Sequence, residues 1–279
     1  GVVTASADGD TITVSSVNNS DAVSLTTSVT AQPSGFSQLG PDIDGEAADD
    51  RSGWSVSLSG DGTTLVIGAP NNGTGYRHHA GHARIFAWDS DTNSWVQRGS
   101  DINGSSLQYL GTSVHISDDG NTVVIGVLKG GSGHARIYDW DGSDWTQRGN
   151  NIFGEQGGDL FGNAVSISSD GTTVAIGALA NNRANWEQHS GYTRIHRWDG
   201  SAWVQLGSDL DGEALGDYFG RSVSLSSDGN RVVIGGPNNG GNGNGNGENS
   251  GHTRLYEWND SAWVQIGADI DGEAAGDSS

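Results

Sequence analysis

The chain has 279 residues and a formal net charge of −21, with 13 basic against 34 acidic side chains. A surface this acidic repels nucleic acid and anionic membranes, so we expect neither as a partner. No cysteine occurs, which excludes a disulfide framework and a thiolate metal site, and no run of about 18 apolar residues predicts membrane insertion.

An Asp-Gly turn recurs along the chain and marks an internal repeat. The repeat divides a single predicted domain, residues 1–279, into copies at about 1–40, 41–99, 100–149, 150–207 and 208–267, followed by a linker at 268–279. The first copy is degenerate, and its Val3–Ser16 aligns with Val223–Gly236. The turns are Asp8-Gly9, Asp61-Gly62, Asp119-Gly120, Asp170-Gly171 and Asp228-Gly229.

Each complete copy predicts four short strands. In the first complete copy, Ser55–Ser59 alternates apolar and polar residues, as a half-buried strand does. An Asp-Gly hairpin leads to Thr64–Pro70, whose nearly continuous apolar run indicates burial on both faces. A loop of variable length then leads to a third strand, Gly81–Trp88, and a polar turn to a fourth, Ser94–Gly99. An acidic linker connects each copy to the next.

Four antiparallel strands per repeat are typical of a β-propeller blade. The first strand carries small residues, which fit the narrow axis of a propeller, whereas the third and fourth carry paired tryptophans, which fit its wide rim. A β-solenoid is the rival, but its coils are shorter. We therefore predict an all-β propeller of four-stranded antiparallel blades with five repeats, as a closed five-bladed ring or part of a larger ring. The tryptophan pairs are Trp88/Trp95, Trp140/Trp145, Trp198/Trp203 and Trp258/Trp263.

Short glycine motifs flank the first two strands of each copy. Phe219-Gly220 precedes one first strand and Gly235-Gly236-Pro237 ends the next strand; Phe161-Gly162, Gly177-Ala178 and Gly68-Ala69-Pro70 follow the same pattern. These segments resemble the FG-GAP repeat of integrin-α-type propellers. The resemblance implies a propeller used in extracellular adhesion or ligand recognition. The hairpins read SGDG, SDDG, SSDG and SSDG, and so depart from the DxDxDG calcium hairpin of that family.

The loops between the second and third strands share one propeller face with the linkers, because the strands alternate in direction. These loops vary between copies, and variable loops on a rigid scaffold often bind ligands. We predict that they recognise a protein or a carbohydrate, with the aromatic residues as stacking platforms; the alternative is that they are ordinary loop residues. The candidates are Tyr76, Arg77, His78, His79, Trp186, Glu187 and His189.

The acidic linkers place carboxylates around a glycine. Such oxygen ligands suit calcium, the one cofactor that the sequence suggests, although a solvated turn is the alternative. The candidate ligands are Asp42, Asp44, Glu46, Asp209, Asp211, Glu213, Asp269, Asp271 and Glu273.

The sequence predicts no catalytic residue. Nearly every carboxylate stands at a repeated position, whereas catalytic residues should break the repeat. The same logic makes His82, His134 and His252 structural, because Tyr192 takes their place in one copy. We therefore expect a non-catalytic extracellular or cell-surface module for binding or adhesion to protein or glycan, and no enzyme. The alternatives are a lectin-like sugar-binding propeller, a propeller glycosidase and a purely architectural repeat.

Overall fold

The structure is a computed structural model. It describes residues 37–73, 79–128, 131–179, 190–214, 216–238 and 250–273, together with the backbone of three N-terminal strands. The chain divides into two compact units, Gly1–Pro41 and Asp42–Ser279. Within these ranges, no helix is long and apolar enough to cross a membrane.

The first unit contains a three-stranded antiparallel sheet made of β1 (Val2–Asp8), β2 (Thr11–Asn18) and β3 (Asp21–Thr27). Asp8 pairs with Thr11 across the first hairpin, where the Asp-Gly turn predicts one. A fifth blade is not confirmed, because four blade sheets are present in the described part of the chain; the assignment of residues 1–40 to a fifth repeat stays a prediction.

The second unit consists of four antiparallel sheets of five strands each, one per complete repeat. The first blade has β4 (Ser55–Leu58), β5 (Thr64–Ala69), β6 (His82–Asp89), β7 (Ser94–Gln97) and β8 (Ile102–Asn103). The second has β9 (Leu110–Ile116), β10 (Thr122–Val127), β11 (His134–Trp140), β12 (Trp145–Gln147) and β13 (Ile152–Phe153). The third has β14 (Ala164–Ile167), β15 (Thr173–Ala178), β16 (Tyr192–Trp198), β17 (Trp203–Gln205) and β18 (Leu210–Asp211). The fourth has β19 (Ser222–Leu225), β20 (Arg231–Gly236), β21 (His252–Trp258), β22 (Trp263–Gln265) and β23 (Ile270–Asp271).

A short fifth strand in each blade was not expected from the sequence, which predicts a linker there. In the second blade, β13 pairs with the beginning of β11 while β12 pairs with its end, so both lie on one edge of the sheet. The apolar residue of this strand is buried in the first three blades, at Ile102, Ile152 and Leu210. A two-residue strand is too short to show the alternation by which strands are recognised. The acidic linkers are therefore held against the third strand by backbone pairing.

The FG-GAP glycines are required where adjacent blades meet. Gly162 has φ +93°, a left-handed conformation that other residues adopt at a cost. A Cβ atom on Gly126 would lie 2.0 Å from the carbonyl oxygen of Gly162. Beside this contact, Phe161 is fully buried and forms a parallel bridge with Gly133 of the preceding blade. The motif thus joins blades through backbone approach.

The remaining contacts between blades agree with the predicted order of strands from axis to rim. The first strands of adjacent blades, β4 with β9 and β14 with β19, contact one another. At the other edge, the Trp203 indole donates a hydrogen bond to the Arg148 carbonyl of the preceding blade at 3.0 Å. Apolar clusters fill the space between consecutive blades, as with Ile85 of the first blade and Val123 of the second.

Candidate active site

Three segments of the first blade meet at its linker and loop face. The acidic linker supplies Glu46 and Asp50, the start of β6 supplies His82, and the segment before β8 supplies Asp101. Atoms of Glu46, His82 and Asp101 that could ligate a metal all lie within 4.8 Å of one another. We call these three residues the first-blade cluster.

His82 is the buried member of this cluster, with a side chain only 1% exposed. Its Nδ1 lies 3.6 Å from Glu46 Oε2 and has no hydrogen-bond partner among the described residues. Burial lowers the pKa of His82 below its ordinary value, although the nearby Asp101 and Glu46 carboxylates oppose that shift. The imidazole is therefore neutral at pH 7, with an unused nitrogen beside two carboxylates.

The arginine of the first blade is directed away from these carboxylates. Arg84 donates a hydrogen bond to the carbonyl oxygen of Asp44 at 2.7 Å, and its nearest approach to Glu46 is 4.0 Å. Asp101 instead accepts a hydrogen bond from the side-chain amide of Gln97 at 2.7 Å. The guanidinium of Arg84 therefore makes only a long ion pair with this cluster and no hydrogen bond to its carboxylates among those of the described residues.

A pocket of about 590 Å³ lies beside this cluster. Asp50 lines the pocket and is linked to the cluster through Asn72. The Asn72 side-chain amide donates hydrogen bonds to Asp50 Oδ2 and to Glu46 Oε2, each at 3.3 Å. His79 forms part of the pocket wall and stacks on Tyr109 with ring centroids 4.9 Å apart. We call this the first-blade pocket; it is lined by Ala48, Asp49, Asp50, Arg51, Asn71, Gly73 and His79.

The fourth blade repeats the cluster with a different arginine contact. Ligating atoms of Glu213, His252 and Asp269, the fourth-blade cluster, also lie within 4.8 Å of one another. Here Arg254 is bonded to both carboxylates: its Nη2 contacts Glu213 and lies 2.9 Å from Asp269 Oδ2. The His252 Nδ1 lies 3.7 Å from the same Asp269 oxygen.

The third blade has tyrosine in place of the histidine. Tyr192 donates a hydrogen bond to Asp159 Oδ2 at 3.0 Å. Arg194 contacts Glu155 and donates to both oxygens of Asp209, at 2.9 and 2.8 Å. In the second blade, Arg136 donates to His134 at 3.2 Å. The four blades therefore share one framework and differ in its polar contents.

The predicted recognition residues are mostly outside the described part of the chain. Of them, His79 is described and lines the first-blade pocket. The remaining six lie outside the described residues: Tyr76, Arg77, His78, Trp186, Glu187 and His189.

The predicted calcium ligands separate into two groups. Glu46, Glu213 and Asp269 belong to the two clusters with histidine. Elsewhere in the described linkers, Arg194 donates a hydrogen bond to Asp209. Burial raises the pKa of Asp211, and the charges of Asp209 and Glu155 add to that shift. The described residues contain no cluster built from linker carboxylates alone. The remaining candidates, Asp42, Asp44, Asp271 and Glu273, lie outside both clusters.

The Asp-Gly hairpins do not fit the calcium site of the resembling family. Asp61 Oδ1 accepts hydrogen bonds from the Thr63 amide at 2.9 Å and the Ser59 hydroxyl at 2.7 Å. These contacts lower the pKa of Asp61, the Thr63 amide first among them. Equivalent bonds recur at Asp119, Asp170 and Asp228. The hairpin carboxylates stabilise turns.

Sequence reasoning missed His82, Asp101 and Asp50. His82 was passed over because a residue that recurs in several copies was interpreted as scaffold, and Asp101 because its linker lacks the full acidic pattern. A usable signal was the recurrence of His, Arg and Asp at fixed spacing, because it predicts that they lie together in each blade.

A second pocket, of about 270 Å³, lies at the rim between the second and third blades. It is lined by Asn150, Asn151, Phe153, His196 and Trp203, among others. His196 breaks the repeat, since aromatic residues take its position in the other copies. Burial, and then the charge of Arg194, lowers its pKa to about 4.

Comparison with known proteins identifies the repeat. A family model of the FG-GAP repeat matches residues 43–86. The chain contains an FG-GAP repeat. The resemblance predicted from the glycine motifs is thereby confirmed, and no curated protein sequence matches the chain.

Solved structures with the same fold have low sequence identity to this chain. The periplasmic gluconolactonase of Pseudomonas aeruginosa has TM-score 0.56 and 13% identity, covering 96% of this chain and 66% of that chain. A protein of Bacteroides uniformis assigned to the 6-phosphogluconolactonases has TM-score 0.52 and 12% identity, covering 98% and 68%. TolB of Acinetobacter baumannii has TM-score 0.50 and 15% identity, covering 95% and 52%. These matches establish the all-β propeller-type fold, and this chain spans between half and about two thirds of their length.

The comparisons also correct two predictions from the sequence. The propeller-type structures similar to this chain include lactonases, which runs against the non-catalytic adhesion module and against the absence of enzyme activity. Both predictions were wrong. The sequence argument excluded catalysis because it required catalytic residues to break the repeat, and it could not detect a difference in contacts between repeated residue types, such as that between the two clusters.

Proposed function

We propose that the chain is a hydrolase of sugar-derived substrates, with sugar lactones as the first class to test, and that its active site is the first-blade pocket. The observation that carries the proposal is the first-blade cluster, where two carboxylates and a buried neutral histidine converge within 4.8 Å. Its arginine binds a backbone carbonyl, so the carboxylates are available for proton transfer. The lactonases with the same fold supply the substrate class.

Lactone hydrolysis at this site requires a base to activate water and a cation to stabilise the oxyanion. In lactone hydrolysis a base takes a proton from water, the water oxygen bonds to the carbonyl carbon, and the ring C–O bond breaks as its oxygen takes a proton. Glu46, whose side chain is 44% exposed, is the base that reaches both solvent and the cluster. Arg51 lines the pocket and provides a cation for the developing oxyanion.

An exposed aromatic ring supports a sugar substrate. Trp54 is 56% exposed, and the Arg51 guanidinium lies 5.1 Å from its ring centroid. An exposed indole at the edge of a polar pocket provides an apolar face on which a sugar ring can stack. The stacking platform thus lies next to Arg51, a lining residue of the pocket, and Glu46 is linked to the lining residue Asp50 through Asn72.

The test compares Glu46→Gln with Glu213→Gln, because the two glutamates hold the same repeat position. Acid release from glucono-δ-lactone and related lactones is followed in a pH-stat, and the spontaneous rate is subtracted. We expect the unmodified chain to exceed the spontaneous rate. Glu46→Gln should lose about 100-fold of the excess, the usual contribution of a general base, while Glu213→Gln keeps it. Equal losses in both variants, or no excess rate, would contradict the proposal.

The lectin-like alternative has a specific observation in its favour. In the second pocket, Phe153 and Trp203 provide aromatic surface and Asn150 and Asn151 provide amides, a combination suited to sugar hydroxyls and ring faces. The same assay separates the two functions, because a lectin binds the sugar without releasing acid.

We also propose that the protein works outside the cytoplasm, in an extracellular or periplasmic setting. The support is that the similar gluconolactonase is periplasmic.

A further inference from the structure

We propose that Glu46, His82 and Asp101 bind a divalent transition-metal ion of the zinc type. The first ground is the geometry. Ligands held about 2.0–2.1 Å from zinc at tetrahedral angles lie roughly 3.3 Å apart. The 3.6 Å between His82 Nδ1 and Glu46 Oε2 is too long for a good hydrogen bond and close to the separation of two ligands that share a metal.

The second ground is the unused nitrogen of His82. The side chain is 1% exposed, and no atom in the described residues hydrogen-bonds to its Nδ1. Buried polar atoms normally have a partner, so each exception in a native protein calls for an explanation such as an ion. A metal at the cluster would give this nitrogen its partner. Both ring nitrogens of His252 also have no hydrogen-bond partner in the described residues, so the two clusters share this observation and the arginine contacts have to distinguish them.

The ligand set distinguishes the metal class. Calcium takes oxygen ligands and usually six to eight of them, whereas this cluster offers one imidazole nitrogen and two carboxylates. Imidazole suits zinc and neighbouring transition metals. The calcium predicted from the linker carboxylates is therefore a poorer fit here than a zinc-type ion.

The arginine contacts determine which cluster can bind the ion. In the fourth-blade cluster, the Arg254 guanidinium already contacts Glu213 and Asp269, so a metal would have to displace a bonded cation. In the first-blade cluster, Arg84 is held by the Asp44 carbonyl at 2.7 Å. We expect one strong site per chain, in the first blade.

A metal held by three protein groups keeps a coordination position for water, which is the arrangement of catalytic zinc sites. Bound zinc lowers the pKa of that water to about 7 and makes hydroxide available at neutral pH. The hydroxide would add to the lactone carbonyl carbon while the ring oxygen leaves and takes a proton from solvent. With the ion bound, Glu46 would act as a ligand, and the metal-bound hydroxide would replace it as the group that supplies the nucleophile. This catalytic use rests on the proposed function, whereas metal binding does not.

The experiment titrates zinc chloride into the full chain after treatment with EDTA, using calorimetry and no substrate. His82→Tyr and His252→Tyr are the matched variants, because Tyr192 occupies the same repeat position, and thermal melts confirm that both fold. We expect the unmodified chain and His252→Tyr to bind one zinc each, and His82→Tyr to bind at least 100-fold more weakly. Calcium chloride serves as the comparison metal and should bind more weakly than zinc.

Several outcomes would overturn the proposal. They are no zinc binding by the unmodified chain, equal losses in both variants, and calcium binding at least as strong as that of zinc. A chain that binds zinc through His82 but releases no acid from lactones supports the metal site and contradicts the hydrolase. A chain that hydrolyses lactones at full rate without bound metal supports the hydrolase and contradicts the catalytic use of the metal.

Discussion

The clusters of the first and fourth blades contain the same three residue types at equivalent repeat positions, yet they differ in charge balance. Arg254 bonds to both carboxylates of the fourth-blade cluster, and Arg84 bonds to a backbone carbonyl beside the first-blade cluster. In the first cluster the guanidinium makes only a long ion pair with Glu46, at 4.0 Å, and in the fourth it bonds directly to both carboxylates. A repeat protein can thus keep its sequence pattern and change local chemistry by redirecting one guanidinium.

The largest expected effect comes from removing the guanidinium of Arg254 in the fourth blade. Arg254→Met should leave Glu213 and Asp269 without their cation and lower the free energy of unfolding by about 2–3 kcal/mol. This cost is smaller than that of breaking a fully buried ion pair, because the Glu213 side chain is half exposed. The vacated fourth-blade cluster should then bind zinc, raising the stoichiometry from one to two. Urea denaturation and calorimetry measure the two effects.

Arg84→Met is the control for that variant. Because Arg84 does not neutralise the first-blade carboxylates at close range, its removal should leave the stoichiometry at one. If Arg254→Met gains no second site, the arginine contact is not what distinguishes the two clusters.

The sequence predicted the blades well because their determinants are local. Asp-Gly turns and tryptophan pairs repeat at fixed positions, and the predicted strand Thr64–Pro70 differs from β5 by one residue. The two-residue strands such as β13 are stabilised by pairing with a distant strand, so no local pattern indicates them. The direction of the Arg84 side chain is equally invisible in a sequence where Arg84 and Arg254 occupy one position. The difference between the candidate site and the fourth-blade cluster is therefore a property of the three-dimensional structure and not of the repeat pattern.

Acid should destabilise the fold through histidines outside both clusters. Burial lowers the pKa of His134 and of His196 to about 4, below the ordinary value near 6.5. Between these two pH values the histidines are protonated in the unfolded chain and neutral in the folded chain. Stability is then complete above about pH 6.5 and falls as the pH drops toward 4. Each histidine should cost on the order of 1–2 kcal/mol between pH 7 and pH 5.

The variant His196→Phe isolates one of these contributions, since Phe86 holds the same repeat position. Urea denaturation at pH 7 and pH 5 should show a smaller loss of stability in the variant than in the unmodified chain. This measurement bears on the comparison of the clusters, because it separates the loss of stability caused by His196 at the rim from any loss caused by the histidines of the two clusters. An unchanged pH dependence in the variant would show that His196 is not buried neutral.

The smallest effect on zinc binding should come from giving the third blade a histidine. Tyr192→His loses the hydrogen bond to Asp159 and the one accepted from the Glu155 amide at 3.2 Å. Because Tyr192 and Asp159 are both buried, we expect a stability cost of about 1–3 kcal/mol. It creates the residue set of the other two clusters, but Arg194 still bonds to Asp209 and Glu155. We therefore expect no additional zinc in calorimetry. If the variant gained a zinc site while Arg194 remained, histidine alone would decide metal binding, and the fourth-blade cluster should then bind zinc as well. Because the first-blade, third-blade and fourth-blade positions are equivalent in the repeat, this variant tests the role of the arginine in a third copy.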